Sequence, residues 1–282
     1  MQFELLDSLT LPGSSAKPND DAFGHAANAA LVMDGATGLG EQLMPGASDA
    51  AWLAQFGARR ILAHIGDGAA ATDAVRLALN DAAKSFAALR RREPSETYEI
   101  PFASMMLVAA GANGFEALFY GDCAALVKRP DAKLEILGIA FQNRAREAAG
   151  VTKLAKAKGL NPAARTNLPE FLDALRKERN AVNTGRGHWL FGPDVRAADH
   201  VSIKQVSAPA GTIVLLSTDG FLALASDYGC YDADGLLAAA QTKGLRSLGE
   251  ELRAVEAGDP EGVAYPRFKT SDDATAVLLR LA

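Results

Sequence analysis

Two pairs of amphipathic segments divide this sequence, and they limit most strongly what the chain can fold into. Residues 48–65 and 72–93 form the first pair, and residues 232–243 and 247–258 form the second; in each, apolar residues recur at helical spacing. Shorter apolar runs precede, separate and follow the two pairs. This order predicts an α+β fold in which amphipathic helices pack by one face against sheets.

The shorter apolar runs are bounded by Gly, Pro, Asn and Asp, which predicts strands. They cover residues 2–10, 29–34, 103–111, 114–122, 124–130, 133–138, 201–206, 212–218 and 274–281. The four runs between residues 103 and 138 predict an antiparallel meander, and the two on either side of residues 208–211 predict a further strand pair.

Residues 139–200 are more polar and mixed, and further helices are expected there at 141–158 and 168–181. No Pro/Ser-rich linker or break in composition divides the 282 residues. We therefore expect a single domain over residues 1–282, with an insertion or flap at about 139–200.

The composition excludes several classes of function. The hydrophobic fraction of 49% predicts a sizeable core, and a formal net charge of −5 offers no basic surface for nucleic acid. The two cysteines, Cys123 and Cys230, form no disulfide framework, which favours a reducing compartment. The N-terminus does not resemble a signal peptide, and no apolar run approaches a membrane span. We therefore expect a cytoplasmic protein.

Acidic residues stand at four boundaries between a loop and a strand. They are Asn19-Asp20-Asp21, Asp34-Gly35, Asp219-Gly220 and Asp272-Asp273. Strand ends tend to gather at one rim of a domain, where converging carboxylates repel each other unless cations neutralise them. Oxygen ligands without His or Cys suit Mg²⁺, Mn²⁺ or Ca²⁺. Asp-Gly is also a common turn dipeptide, so spacing alone leaves a turn and a metal site open.

Five short motifs, in this order along the chain, resemble those of the metal-dependent type 2C family of protein serine/threonine phosphatases. They are PNDDAFG, VMDGATG, YGDCAAL, STDGF and SDDATAVLL. The resemblance implies a four-layer α-β-β-α sandwich, two antiparallel sheets flanked by helix pairs. It also implies a signalling hydrolase that removes phosphate from phosphoserine and phosphothreonine in proteins.

The same resemblance implies roles for individual residues. Two ions, Mg²⁺ or Mn²⁺, would be held by Asp20, Asp21, Asp34, Gly35, Asp219 and Asp272, with Asp21 acting through a water and Asp34 bridging both ions. Asn19 and Asp273 would support these ligands, and Asp122 would have a turn role. A water activated by the metals would attack the phosphate, so no side chain is implied as a catalytic group.

The sequence departs from the family's pattern at three places. Ala36 and Thr37 stand where many members carry a histidine, and Ala16 stands where an arginine binds the phosphate. Lys17, adjacent to Ala16, is the predicted phosphate-binding residue, and a weak one because it supplies only a point charge.

Near the position where many bacterial members carry an aspartate for a third metal, only Glu99 is found. The sequence therefore leaves open whether a third ion binds. The missing histidine and arginine keep open a non-catalytic metal-binding regulatory module. The acidic site and the insertion at 139–200 keep open a phosphatase of a small phosphorylated metabolite.

Overall fold

The computed structural model describes residues 1–141, 169–267 and 269–282. In this part of the chain the strands are β1 (Phe3–Leu11), β2 (Asp21–Ala26), β3 (Ala29–Gly35), β4 (Ala103–Gly111), β5 (Gly114–Tyr120), β6 (Ala124–Lys128), β7 (Glu135–Leu137), β8 (Ser202–Ser207), β9 (Ile213–Ser217) and β10 (Ala274–Leu281). The helices are α1 (Asp49–Gly66), α2 (Ala71–Leu89), α3 (Pro169–Arg179), α4 (Asp219–Ser226), α5 (Ala233–Lys243) and α6 (Leu245–Gly258). The helix predicted at 141–158 lies, beyond its first residue, outside the described residues.

The strands form two antiparallel five-stranded sheets. The first has the order β1-β10-β9-β6-β7, and the second has the order β2-β3-β4-β5-β8. Their inner faces meet in an apolar core, where Val32 and Met106 of the second sheet pack with Leu216 and Val277 of the first. Every one of these four side chains is fully buried.

Helices cover the outer faces of both sheets. The cluster containing Leu53, Ile61 and Leu79 joins α1 and α2 to the second sheet. A second cluster, containing Leu237 and Leu248, joins α4, α5 and α6 to the first sheet. The predicted α-β-β-α sandwich is therefore confirmed, with α4 added to the expected helix pair.

The predicted strand pairings are partly wrong. Strands β4 and β5 pair with each other, but β6 and β7 belong to the other sheet, so the four runs do not form one meander. Strands β8 and β9 are also in different sheets. Strand β8 pairs with β5, whereas β9 pairs with β6 and β10. Apolar alternation fixes which faces of a strand are buried but not which neighbour it pairs with.

Two local differences concern helices. The segment that starts at Asp219 is a helix that the sequence reasoning did not predict. Helix α2 ends at Leu89, earlier than expected, and the residue before Pro94 is disfavoured in a helix. Among the described residues, no helix combines the length and apolar character that crossing a membrane requires.

Candidate metal centre

Two carboxylates face each other across neighbouring strands of the second sheet. Asp21 opens β2 and lies directly opposite Asp34 near the end of β3. The peptide N–H of Gly35 donates to the carbonyl of Asp20 at 3.1 Å. A Cβ at Gly35 would lie 2.5 Å from that carbonyl and 2.8 Å from the carbonyl of Ala50, so only glycine fits this close approach.

The first sheet brings further aspartates to the same rim. Asp219 begins α4 directly after β9, and Asp272 and Asp273 immediately precede β10. A Cβ at Gly220 would lie 2.0 Å from the carbonyl oxygen of Asp273 and 3.3 Å from the Cβ of Asp272. The start of α4 is therefore packed tightly against the Asp272-Asp273 backbone.

Hydrogen bonds connect the two sheets at this rim. The hydroxyl of Thr218 donates to Oδ2 of Asp21 at 2.9 Å and accepts from the peptide N–H of Thr275 at 3.0 Å. Asp273 accepts from the peptide N–H groups of Gly13 and Asp20, both at 2.7 Å. These bonds fix the loop that carries Asp20 and Asp21 relative to the end of the first sheet.

The carboxylates are close enough to affect one another electrostatically. Burial raises the pKa of Asp34 well above its usual range, and the charges of Asp219 and Asp21 raise it further. Asp272 and Asp122 raise the pKa of Asp34 in the same direction. Clustered, desolvated carboxylates of this kind are unfavourable without compensating positive charge.

Among the described residues, one buried oxygen of this cluster has no hydrogen-bond partner. Asp21 is 4% exposed, and its Oδ1 is buried without a hydrogen bond. Burial raises the pKa of Asp21 well above its usual range, and the nearby Asp272 also raises it. An orphaned anionic oxygen in such surroundings costs free energy unless a cation or a donor binds it.

These donors fit a hard divalent cation by their chemistry. They are carboxylate oxygens, the ligands that Mg²⁺ and Mn²⁺ favour, and Asp21 Oδ1 is unsatisfied. In their present positions, no three His, Cys, Asp or Glu side chains within residues 1–141, 169–267 and 269–282 form a group able to hold one ion. The fit therefore rests on donor type, charge and the orphaned oxygen.

The residues predicted to support the ligands have defined contacts. Asn19 Oδ1 accepts from the peptide N–H of Asp21 at 2.9 Å, and its amide donates to Thr10 Oγ1 at 2.8 Å. Lys17 is exposed, and its ammonium forms no hydrogen bond or ion pair with another described residue. The predicted weak phosphate ligand therefore has no structural anchor in this part of the chain.

Three further residues lie at this rim, and the sequence reasoning assigned none of them to the site, giving Asp122 only a turn role. Ser48 caps α1 and donates a short hydrogen bond to Asp20. Ser104, which lies opposite Asp34, donates to Asp122 Oδ1 at 2.6 Å. Asp122 therefore belongs to the acidic cluster in addition to the turn at Gly121, and its place after an apolar run was the signal that could have found it.

Among the described residues, the pKa values of two cations respond to the charge of Asp34. Lys269 Nζ donates to Asp272 Oδ1 at 2.5 Å. Partial loss of solvent around the ammonium acts against its charge, but the charges of Asp272 and Asp34 outweigh this and raise the pKa of Lys269. The second cation, Arg179 at the end of α3, is close enough to Asp34 for its pKa to respond to that charge.

Comparison with known proteins gave matches only at the level of structure. No family model and no curated protein sequence matches the chain. The Ser/Thr phosphatase PstP/Ppp of Mycobacterium tuberculosis is 17% identical with a TM-score of 0.58, covering 100% of this chain and 99% of that one. The PPM Ser/Thr phosphatase MsPP of Mycobacterium smegmatis, in complex with cacodylate, is 16% identical with a TM-score of 0.56, covering 99% of each chain.

A third solved structure carries metal. The catalytic domain of PstP with two manganese ions is 15% identical with a TM-score of 0.56, covering 100% of this chain and 99% of that one. At such low identity the similarity establishes the arrangement of the chain and not its chemistry. The chain has the fold of bacterial PPM-type Ser/Thr phosphatases.

Proposed function

We propose that this protein is a metal-dependent phosphatase that hydrolyses phosphoserine and phosphothreonine monoesters in proteins. The observation that carries the proposal is the pairing of Asp21 with Asp34, joined at one rim by Asp219 and Asp272 from the other sheet. A site of this type attracts divalent cations and, through them, a phosphate group.

The residues proposed as metal ligands are those predicted from the sequence: Asp20, Asp21, Asp34, Gly35, Asp219 and Asp272. Two ions, Mg²⁺ or Mn²⁺, fit the number of carboxylates, and PstP has been solved with two manganese ions. When bound, such ions supply a water-derived nucleophile near neutral pH and neutralise charge on the phosphoryl oxygens.

The chain's own residues position this site. Thr218 donates a hydrogen bond to the Asp21 carboxylate, and Asn19 accepts one from the Asp21 peptide N–H. Asp273 accepts hydrogen bonds from the loop on either side of Ala16. Cys123 is fully buried, and burial raises the pKa of its thiol, so it is unsuited to act as a nucleophile. Both cysteines are free, in line with the proposed cytoplasmic location.

The test is hydrolysis of p-nitrophenyl phosphate and of a phosphothreonine peptide with Mn²⁺, with Mg²⁺ and with EDTA. We expect turnover that requires the metal and that Asp34→Asn abolishes, while the exposed control Asp131→Asn retains it. Faster hydrolysis of small phosphorylated metabolites than of the peptide would instead support the metabolite alternative.

The regulatory alternative rests on Ala36 and Thr37, which offer no proton donor comparable to histidine, and on Ala16, which offers no cation for the phosphate. It predicts Mn²⁺ binding, seen as a rise in melting temperature, without turnover of any phosphoester. Absence of both metal binding and turnover would refute the proposed function and this alternative together.

A further inference from the structure

The acidic rim creates a problem for an anionic substrate. A phosphate monoester approaching Asp34 and its neighbours meets several negative charges, and bound cations must outweigh them. Among the described residues, Lys269 and Arg179 are the protein's own cations whose pKa values respond to Asp34. Lys269 is already paired with Asp272, which leaves Arg179 to consider.

Contacts of the preceding turn locate α3 relative to this rim. Arg176 and Arg179 are three residues apart and therefore share one face of α3. Arg176 Nε donates to the carbonyl of Leu39 at 2.9 Å, and its guanidinium lies 4.9 Å from the ring centroid of Tyr98. Leu39 follows Gly35 by four residues, so this face of α3 lies along the segment that leaves the metal centre.

The chain directly after Arg179 is firmly held. Asn180 Oδ1 accepts from the peptide N–H of Tyr98 at 2.8 Å, and Val182 is 2% exposed in the core beside the second sheet. The side chain of Asn183 bonds both backbone groups of Leu190, at 2.7 Å and 3.1 Å. The backbone that carries Arg179 is thus anchored on both sides of the residue.

Within the described part of the chain, the guanidinium of Arg179 has no hydrogen-bond or ion-pair partner, and the residue is partly buried. Burial lowers the pKa of Arg179 from its ordinary value, and the charge of Asp34 acts in the opposite direction. A guanidinium has five N–H donors in a planar fork, and this geometry matches two oxygens of a phosphate.

We propose that Arg179 binds the phosphoryl oxygens of the substrate and fixes the phosphate above the acidic rim. This inference rests on the proposed function and assigns to α3 the cation that Ala16 does not provide. Arg179 replaces the exposed Lys17 as the proposed phosphate ligand, because a fork on an anchored backbone orients a phosphate better than a solvated ammonium does.

The test compares Arg179→Gln, Arg179→Lys and, as a matched control, Lys177→Ala, an exposed position on the same helix. With Mn²⁺ present, the KM for p-nitrophenyl phosphate and the inhibition constant of inorganic phosphate are measured together. In Arg179→Gln we expect both to rise about tenfold to a hundredfold, with a smaller change in kcat. Arg179→Lys, which keeps the charge but not the fork, should be intermediate, and Lys177→Ala should match the wild type.

Mn²⁺ affinity, measured by titration calorimetry, separates phosphate binding from a general structural or electrostatic role. We expect it to be nearly unchanged in Arg179→Gln. A phosphate inhibition constant within twofold of wild type, or a parallel loss of Mn²⁺ and phosphate affinity, would overturn the inference. If Arg179→Gln does not fold, an unchanged inhibition constant in Arg179→Lys would overturn it.

The experiment also separates this inference from the proposed function. If the wild type hydrolyses no phosphoester, the proposed function fails, and phosphate binding to the Mn²⁺-loaded protein is followed by its effect on the melting temperature. A phosphate-induced rise that Arg179→Gln removes would still support a phosphate site at Arg179. No rise in the wild type would refute that site.

Discussion

Removing one charge from the acidic rim should stabilise the metal-free protein. In Asp34→Asn the carboxylate becomes a neutral amide of nearly the same shape, while Asp21 stays directly opposite. Directly opposed residues on antiparallel strands have Cβ atoms about 5 Å apart, so the two carboxylates repel each other by about 3 kcal/mol at an effective dielectric constant of about 20. Uptake of a proton by the wild type limits this penalty.

We therefore expect Asp34→Asn to raise the free energy of unfolding by about 1–3 kcal/mol in EDTA, or about 2–8 °C in Tm. The pKa of Asp34 is raised in the folded state, so its carboxylate destabilises the fold above the unfolded pKa. As the pH falls through the raised pKa, wild-type Asp34 takes up a proton and the advantage of the variant shrinks. The difference in stability between the variant and the wild type should vanish near pH 4, roughly the pKa of an unfolded aspartate.

The assay is thermal unfolding followed by tryptophan fluorescence at several pH values, in EDTA and in excess Mn²⁺. With Mn²⁺ the wild type should have the higher melting temperature, because it gains more stability from the metal than the variant does. Asp131→Asn is the control, since Asp131 is exposed at φ 57°, where asparagine is well accommodated, and its effect should stay within about 0.5 kcal/mol. If Asp34→Asn melts at or below the melting temperature of the wild type in EDTA at pH 8, the predicted repulsion between Asp34 and Asp21 is refuted.

Three further predictions concern the framework around the site. Gly220→Ala should destabilise the protein by more than about 2 kcal/mol in urea unfolding, because the new Cβ would lie 2.0 Å from the Asp273 carbonyl; a near-neutral effect would show that α4 can shift. Leu216→Ala should cost about 2–5 kcal/mol in the same assay, since it leaves a cavity between the two sheets, and a smaller loss would mean that the sheets close over it. Two hydrogen bonds from Arg92 lower the pKa of Glu99 to about 2, so Glu99 stabilises the fold above its unfolded pKa and this contribution is lost as the pH falls toward 2. Glu99→Gln should therefore lower the urea midpoint at pH 6 and approach the wild type at pH 2–3, and a difference that does not depend on pH would contradict this.

The regular elements were largely predictable because they depend on local patterns. Helical spacing placed α1, α2, α5 and α6, and apolar runs between turn residues placed most of the strands. The motif at Asp34-Gly35 was also visible, since a carboxylate at the end of a buried strand is unusual.

The sequence by itself determined the α+β class, the helices, most strands and a set of aspartates at strand ends. Only the tertiary structure decided that β6 and β7 leave β4 and β5 for the other sheet, because pairing partners depend on contacts between distant segments. Only the tertiary structure added Asp122 to the acidic cluster and brought Arg179 close enough to Asp34 for its pKa to respond. Arg179 carries no distinctive local pattern, and the motif around Asp122 does not show which carboxylates it meets. Both surroundings arise where separate strands, loops and a helix meet in space.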